Sequence, residues 1–239
     1  MDALSDIVSD AESAYPGLSG ISLNACEFRG AAALSDGEEM TLTDCRFFGQ
    51  MPLLRLRDSL VRGGGFAPVC TDALRRAARV TLQDTVLSCP RGLSGASGVV
   101  LDRCSGGAPD LGEGCRDAVV RDSLLEGERL FRSAASLQAE NTEFRGARVL
   151  ECLSSSSLDF STVSGDDALR GAEDVVITDS ILEGDRLGWF CEGVTLRGCV
   201  ISGARPFAHC RLLVLENCRL DPSCTSPFEG SEVSMSPQK

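Results

Sequence analysis

One interval governs this chain. The segments Ile21–Gly30 and Met40–Gly49 align residue for residue at an offset of 19, as do Val175–Gly184 and Val194–Gly203. The column of small residues runs Cys26, Cys45, Gly64, Thr85, Cys104, Ser123, Thr142, Ser161, Ser180, Cys199 and Cys218, with intervals of 19, 19, 21 and then seven of 19. Ten of those eleven are Cys, Ser or Thr, where chance would place about two, so the repeat is real and must organise the fold.

Within each repeat, apolar residues three before and two after the small column flank polar ones, the alternation of a strand. The first inner column is Leu23, Leu42, Val61, Leu82, Leu101 and onward to Leu215, and the second runs from Phe28, Phe47 and Phe66 to Leu220. A third follows a turn, from Leu34, Leu53, Leu74 and Leu93 through Gly112, Phe131 and Gly188 to Phe207. The position before the small residue is usually Asp, Asn or Gly, as at Asp44, Gly63, Asp122, Asn141 and Asn217. Those residue types tolerate left-handed backbone at a bend. Four residues after the small column, nine of eleven repeats carry Gly or Pro.

A strand-only repeat cannot bury its apolar face alone; stacking like on like gives it a continuous core. The expectation is an all-β, single-stranded parallel β-helix of about eleven 19-residue coils, a rod of about 50 Å at one strand spacing per coil. Leucine-rich repeats would need a helical segment and a fixed Asn that are absent, and shorter internal periods are not found. An open coil exposes a pairing edge. Leu4, Ile7, Val8, Ala11 and Tyr15 recur at helical spacing before Pro16-Gly17, so residues 1–17 are expected to form a short capping helix. The β-helix is then expected over 18–229 and a polar tail over 230–239. The single 21-residue coil marks an irregularity in Gly63–Arg79.

The chain has 239 residues, 43% of them hydrophobic, enough for a core. Its formal charge of −12 opposes nucleic acid and anionic membrane surfaces. The start has no basic-then-apolar signal and no apolar run is long enough to span a bilayer, so a cytoplasmic location is expected. Twelve Cys in a reducing compartment read as small buried hydrophobes or ligands rather than as disulfides.

The repeated hydrophobic-x-hydrophobic-x-Asn/Asp-Cys-x-Phe/Leu units resemble a bacterial family of small, signal-less parallel β-helix proteins classed as a domain of unknown function. The single 21-residue coil, Glu183–Trp189 followed by Val194–Cys199, and Leu213–Leu220 carry the same resemblance. It spans about residues 18–230 and implies a right-handed, pectin-lyase-like architecture and a cytosolic location, with no activity, cofactor or metal carried over.

Candidate sites divide between two classes. Asp166, Asp167 and Asp185 with Arg186 stack one coil apart on turns. They suit a polysaccharide lyase or glycoside hydrolase, or a solvated salt-bridge ladder. His209 is the only histidine, so any imidazole chemistry runs through it; alternatively it stacks with Phe190 and Phe228, 19 residues to either side, beside Trp189 and Phe207. Trp189 and Phe207 are the candidate sugar-stacking rings. Cys199 with Cys218, and Cys191 with Cys210, form adjacent-coil pairs suited to a disulfide, a metal site or a buried ladder. Outward positions Val100, Val119, Val176 and Val214 on one strand and Leu124, Ile181 and Val200 on the next carry apolar residues, as an interaction face would. The expectation favours a binding or assembly scaffold that presents a sheet face to a second copy, a protein or a carbohydrate. A carbohydrate-active enzyme is the alternative.

Overall fold

A computed structural model of the chain describes residues 3–236. It is a parallel β-solenoid of about twelve turns built from two sheets. Sheet A has thirteen strands, from β1 (Ala3–Ser5) and β3 (Ser22–Asn24) to β23 (Leu213–Glu216) and β25 (Val233–Ser236). Sheet B has twelve, from β2 (Val8–Ser9) and β4 (Glu27–Phe28) to β24 (Arg219–Leu220). Every pairing is between consecutive coils and parallel. Leu23 lies opposite Leu42, and Leu196 opposite Leu215. A third side is held by single bridges that link Ser19, Glu38 and Arg57, and later Glu173, Glu192 and Arg211.

The register explains the repeat: in-register parallel stacking gives each residue the environment of the one a coil away. The pairing offset is 19 up to Thr41–Leu60, and becomes 21 between Arg57–Arg62 and Ala78–Gln83. The extra residues lie between Ala67, whose N–H still bonds to Phe47, and Asp72, whose N–H bonds to Gln50.

All three expected inner columns face the core, except at the C-terminal end, where Leu220 is exposed. Phe28, Phe47 and Phe66 stack with centroids 5.6 and 5.1 Å apart. No buried side-chain N or O atom among the described residues lacks a hydrogen-bond partner. The corners are made by left-handed residues. All eleven positions before the small column have positive φ, including Asp44 (50°), Asn141 (47°) and Gly63 (64°). The third inner column is left-handed as well, from Leu34 (55°) to Phe207 (52°).

Both expected end structures are corrected. No helix occurs among the described residues. Residues 3–17 form a further coil: Leu4 lies opposite Leu23, Val8 opposite Glu27, and the Leu34 N–H bonds to the Ala14 carbonyl. The helical spacing of Leu4, Ile7, Val8, Ala11 and Tyr15 coincides with column positions of the solenoid. The 230–239 tail is likewise partly strand, since Val233–Ser236 extends sheet A against Leu213–Glu216. Residues 1–2 and 237–239 of the expected cap and tail lie outside the described residues. No helix among the described residues is long and apolar enough to cross a membrane.

Candidate functional site

The stacked acidic residues are bonded into the turns that carry them. The Asp166 carboxylate accepts the Asp185 N–H at 2.9 Å, and the Asp185 carboxylate accepts the Ala204 N–H at 2.8 Å. Asp167 receives a bidentate pair from Arg186, Nε at 2.9 Å and Nη2 at 2.7 Å. That guanidinium holds the Asp167 carboxyl below its ordinary value, against the opposing effect of partial burial. The same geometry recurs on other corners, where Arg55 grips Asp36 at 2.5 and 2.7 Å and Arg103 grips Asp84 at 2.8 and 3.1 Å. Salt bridges thus run along these corners, with Arg55, Arg103 and Arg186 each reaching an Asp of the coil before.

His209 and Trp189 belong to an aromatic corner. The His209 ring stacks on Phe190 at 5.4 Å with planes 16° apart, and Trp189 meets both rings edge-on at 5.8 and 5.9 Å. Trp189 Nε1 donates to the Arg205 carbonyl at 2.7 Å. The Arg205 and Arg170 guanidinium groups each lie 5.3 Å from a ring centroid, over Trp189 and Phe190 respectively. The rings are thus partnered within this chain, although Phe190 is half exposed and His209 is exposed. Phe207 is not in the cluster: it is fully buried in the third inner column above Gly188, a core residue rather than a stacking platform.

The small column does more than select size. Each hydroxyl or thiol in it donates to the carbonyl two residues earlier, as Ser180 does to Thr178 at 2.7 Å, Thr85 to Gln83 at 2.9 Å and Cys199 to Arg197 at 3.3 Å. Serines there also accept from the coil before, Ser161 N–H to Ser180 Oγ at 3.0 Å. Burial pushes the thiols up, Cys104 to about 11 and Cys115 of the neighbouring column to about 12. At the C-terminal end Cys218 is half-buried, and the hydrogen bond from Cys199 draws its thiol down to about 7. All twelve Cys are free thiols.

The two expected outer columns differ. On sheet A, Val100, Val119, Val176 and Val214 are half-buried by neighbours in their own column, among Thr81, Gln138 and Thr195. On sheet B, Val86, Leu124 and Ile181 are each more than 40% exposed, and Val200 is half-buried beside Ile181. Sheet B also carries two grooves. One, of about 380 Å³, opens where Gly65 leaves a gap between Arg46 and Val86, rimmed by Phe48 and Ala67. Val69, in the two-residue insertion beyond Ala67, is also exposed. Gly64 keeps this coil closed, because a Cβ there would run into the Cys45 carbonyl. The other groove, of about 320 Å³, lies at the corner with sheet A and is lined by Asp122, Leu124, Asn141, Glu143, Phe160 and Thr162. Sequence reasoning missed Phe160; the signal was an aromatic in a column otherwise filled mainly by Asp, Asn and Gly.

A family model covers residues 5–237, almost the whole of this architecture. The chain belongs to DUF3737, described as a protein family of unknown function. No curated protein matches it. Among solved structures, this DUF3737 member is similar to the Streptococcus pneumoniae surface protein and adhesin PfbA, at 9% identity over 98% of this chain and 80% of that one, TM-score 0.42. A second PfbA crystal structure matches at 10% identity over 94% and 73%, TM-score 0.40. QnrB1, a plasmid-mediated fluoroquinolone resistance protein, matches at 16% identity over 98% and 91%, TM-score 0.22.

Proposed function

We propose that this protein is a binding scaffold whose sheet B face docks onto a partner macromolecule. The observation that carries this reading is the placement of exposed apolar side chains: Val86, Leu124 and Ile181 stand in one outward column of a rigid twelve-stranded sheet. Apolar surface aligned on a flat, ordered face favours association, because burying it gains free energy without ordering a loop. The acidic net charge makes a neutral or basic protein surface the better partner. Asp166, Asp167 and Asp185 all accept hydrogen bonds from the neighbouring coil, which supports a structural role for them over a catalytic one. The scaffold is expected to act in the cytoplasm.

The test is the migration of the protein in extracts of cells that produce it. The wild type is expected to run as part of a larger assembly. A Val86→Lys, Leu124→Lys, Ile181→Lys variant with unaltered melting temperature is expected to run as the free chain. A variant that co-migrates with the wild type, or a wild type that already runs free, contradicts the proposal.

A further inference from the structure

Phe160 occupies a position where nothing in the fold asks for an aromatic ring. It lies in the corner column between the two sheets, with φ of 49°. The same column holds Asp44, Asp84, Asp122, Asn141, Asp179 and Asn217. Left-handed backbone favours Asn, Asp and Gly and disfavours a bulky side chain. Left-handed Leu and Phe of the third inner column, such as Leu150 and Phe131, are repaid by complete burial, and left-handed Phe190 by its ring and guanidinium contacts, while Leu212, left-handed at 52°, is as exposed as Phe160. Phe160 is 62% exposed. Among the described residues no ring stacks on it and no guanidinium covers it, unlike Phe190. It therefore carries both a backbone cost and an exposure cost that packing does not offset, a combination it shares with Leu212; unlike Leu212, it also lines a groove.

The ring overlooks the 320 Å³ groove, whose volume is at the small end of ligand clefts. The groove floor is closed to ligands: the Ser123 hydroxyl donates to Arg121 and accepts from the Cys104 N–H, and the Thr142 hydroxyl donates to Glu140. The walls are not. Asn141 Nδ2 donates to Asp122 Oδ1 at 2.6 Å, which leaves the Asn carbonyl, a second amide hydrogen and the other carboxylate oxygen facing out as mixed donors and acceptors. Glu143 is held by Arg145 at 2.6 Å and brings no uncompensated charge. Thr162 adds a hydroxyl and Leu124 a second apolar contact.

We infer that this groove is a subsite for a neutral saccharide, which lays the C–H face of a pyranose on Phe160 and Leu124 and directs its hydroxyls to Asp122, Asn141 and Thr162. The ligand must present one flat apolar face and a rim of groups that both donate and accept, and a sugar ring does so. Anionic ligands meet the Asp122 carboxylate without a free cation to receive them. An organic cation would want several rings around it, and this groove offers one. The groove shares Leu124 with the sheet B face, but its test is separable, because Phe160 is at the corner and not in the outward column of sheet B.

The test is saturation-transfer NMR and calorimetry with a panel of neutral oligosaccharides: maltohexaose, cellohexaose, laminarihexaose, mannohexaose and xylohexaose. Hexagalacturonate and tetramethylammonium serve as charged probes. At least one neutral oligosaccharide is expected to bind through its carbon-bound protons. Phe160→Asn gives the corner the residue type already present at Asn141 and Asn217, so it is expected to keep or raise the melting temperature. Phe160→Asn should weaken binding about tenfold or more, as loss of an aromatic contact would, and Phe160→Tyr should retain it. Absence of binding by every neutral member, binding of a charged probe alone, or binding that Phe160→Asn leaves unchanged would each overturn the proposal.

Discussion

Gly188 lies directly beneath the ring of Phe207, one coil away in the same inner column, and any Cβ at Gly188 would collide with that ring. The relationship recurs at Gly112 and Phe131, where a Cβ would come within 2.6 Å of the ring. In this column a large residue is accommodated by deleting the side chain of the coil before. Where both members are Leu, as at Leu150 and Leu169, no such deletion is needed. Gly188→Ala should therefore cost about 1–3 kcal/mol from overpacking and about 1–2 kcal/mol more from the left-handed backbone. The double variant Gly188→Leu, Phe207→Leu restores the Leu-on-Leu arrangement and should recover most of the loss. Urea denaturation of both variants checks this; equal stability of the single and double variants would contradict it.

The small column predicts an asymmetry between two conservative changes. Ser180 donates to the Thr178 carbonyl and accepts the Ser161 N–H. Ser180→Ala leaves the buried Ser161 N–H without its acceptor, while the Thr178 carbonyl keeps the Phe160 N–H, and should cost about 1–3 kcal/mol. Ser180→Cys keeps a small donor of the kind found at Cys199 and should stay within about 1 kcal/mol of the wild type. Thermal melts of the two proteins separate a hydrogen-bonding column from one that selects size alone; identical melts would favour size.

Stability should also follow the ion-pair corners as pH falls. Arg186 lowers the folded-state pKa of Asp167, so the pair's contribution is complete above the unfolded value of about 3.9. It is lost as pH drops through the lower folded value. Arg186→Met should cost at most about 1 kcal/mol at pH 7, because the pair is partly solvated. The gap to wild type should close as pH falls through that lowered folded value. A gap that is constant from pH 7 to pH 2 would contradict the ladder account.

Thiol reactivity should rank by position. Cys218 is half-buried and drawn down to about 7, whereas Cys89 and Cys115 are fully buried and pushed up to about 12. Brief iodoacetamide treatment at pH 7 followed by peptide mass spectrometry should modify Cys218 first and spare the other two. Early labelling of Cys115 would show that the core opens readily.

Much of this architecture is legible in the sequence because in-register parallel stacking makes position 23 answer to position 42 and so on along the rod. The corner at Asp44 and Asn141 is legible for a second reason: few residue types tolerate its backbone. The first coil was hidden, since Leu4, Ile7, Val8, Ala11 and Tyr15 satisfy a helical period and a coil at once, and only pairing with Leu23 and Glu27 decides between them. The left-handed column at Leu34 was hidden too, because leucine signals burial and says nothing of a bend. For the outer faces, periodicity gives direction but not exposure. Val119 and Ile181 both point outward, yet on sheet A Val100 and Val119 cover one another, while on sheet B Val86 lies between Gly65 and Ser105, Leu124 between Ser105 and Glu143, and all three of Val86, Leu124 and Ile181 stay open.

The central claim is that sheet B is the working face, and site-specific photocrosslinking tests it most directly. A benzophenone side chain is placed singly at Val86, Leu124 or Ile181 on sheet B, and at Thr81, Ser157 or Thr195 on sheet A, in cells that produce the protein. The account predicts a discrete adduct from the three sheet B positions and none from the sheet A positions. Adducts from sheet A alone, equal adducts from both faces, or none from sheet B would contradict it.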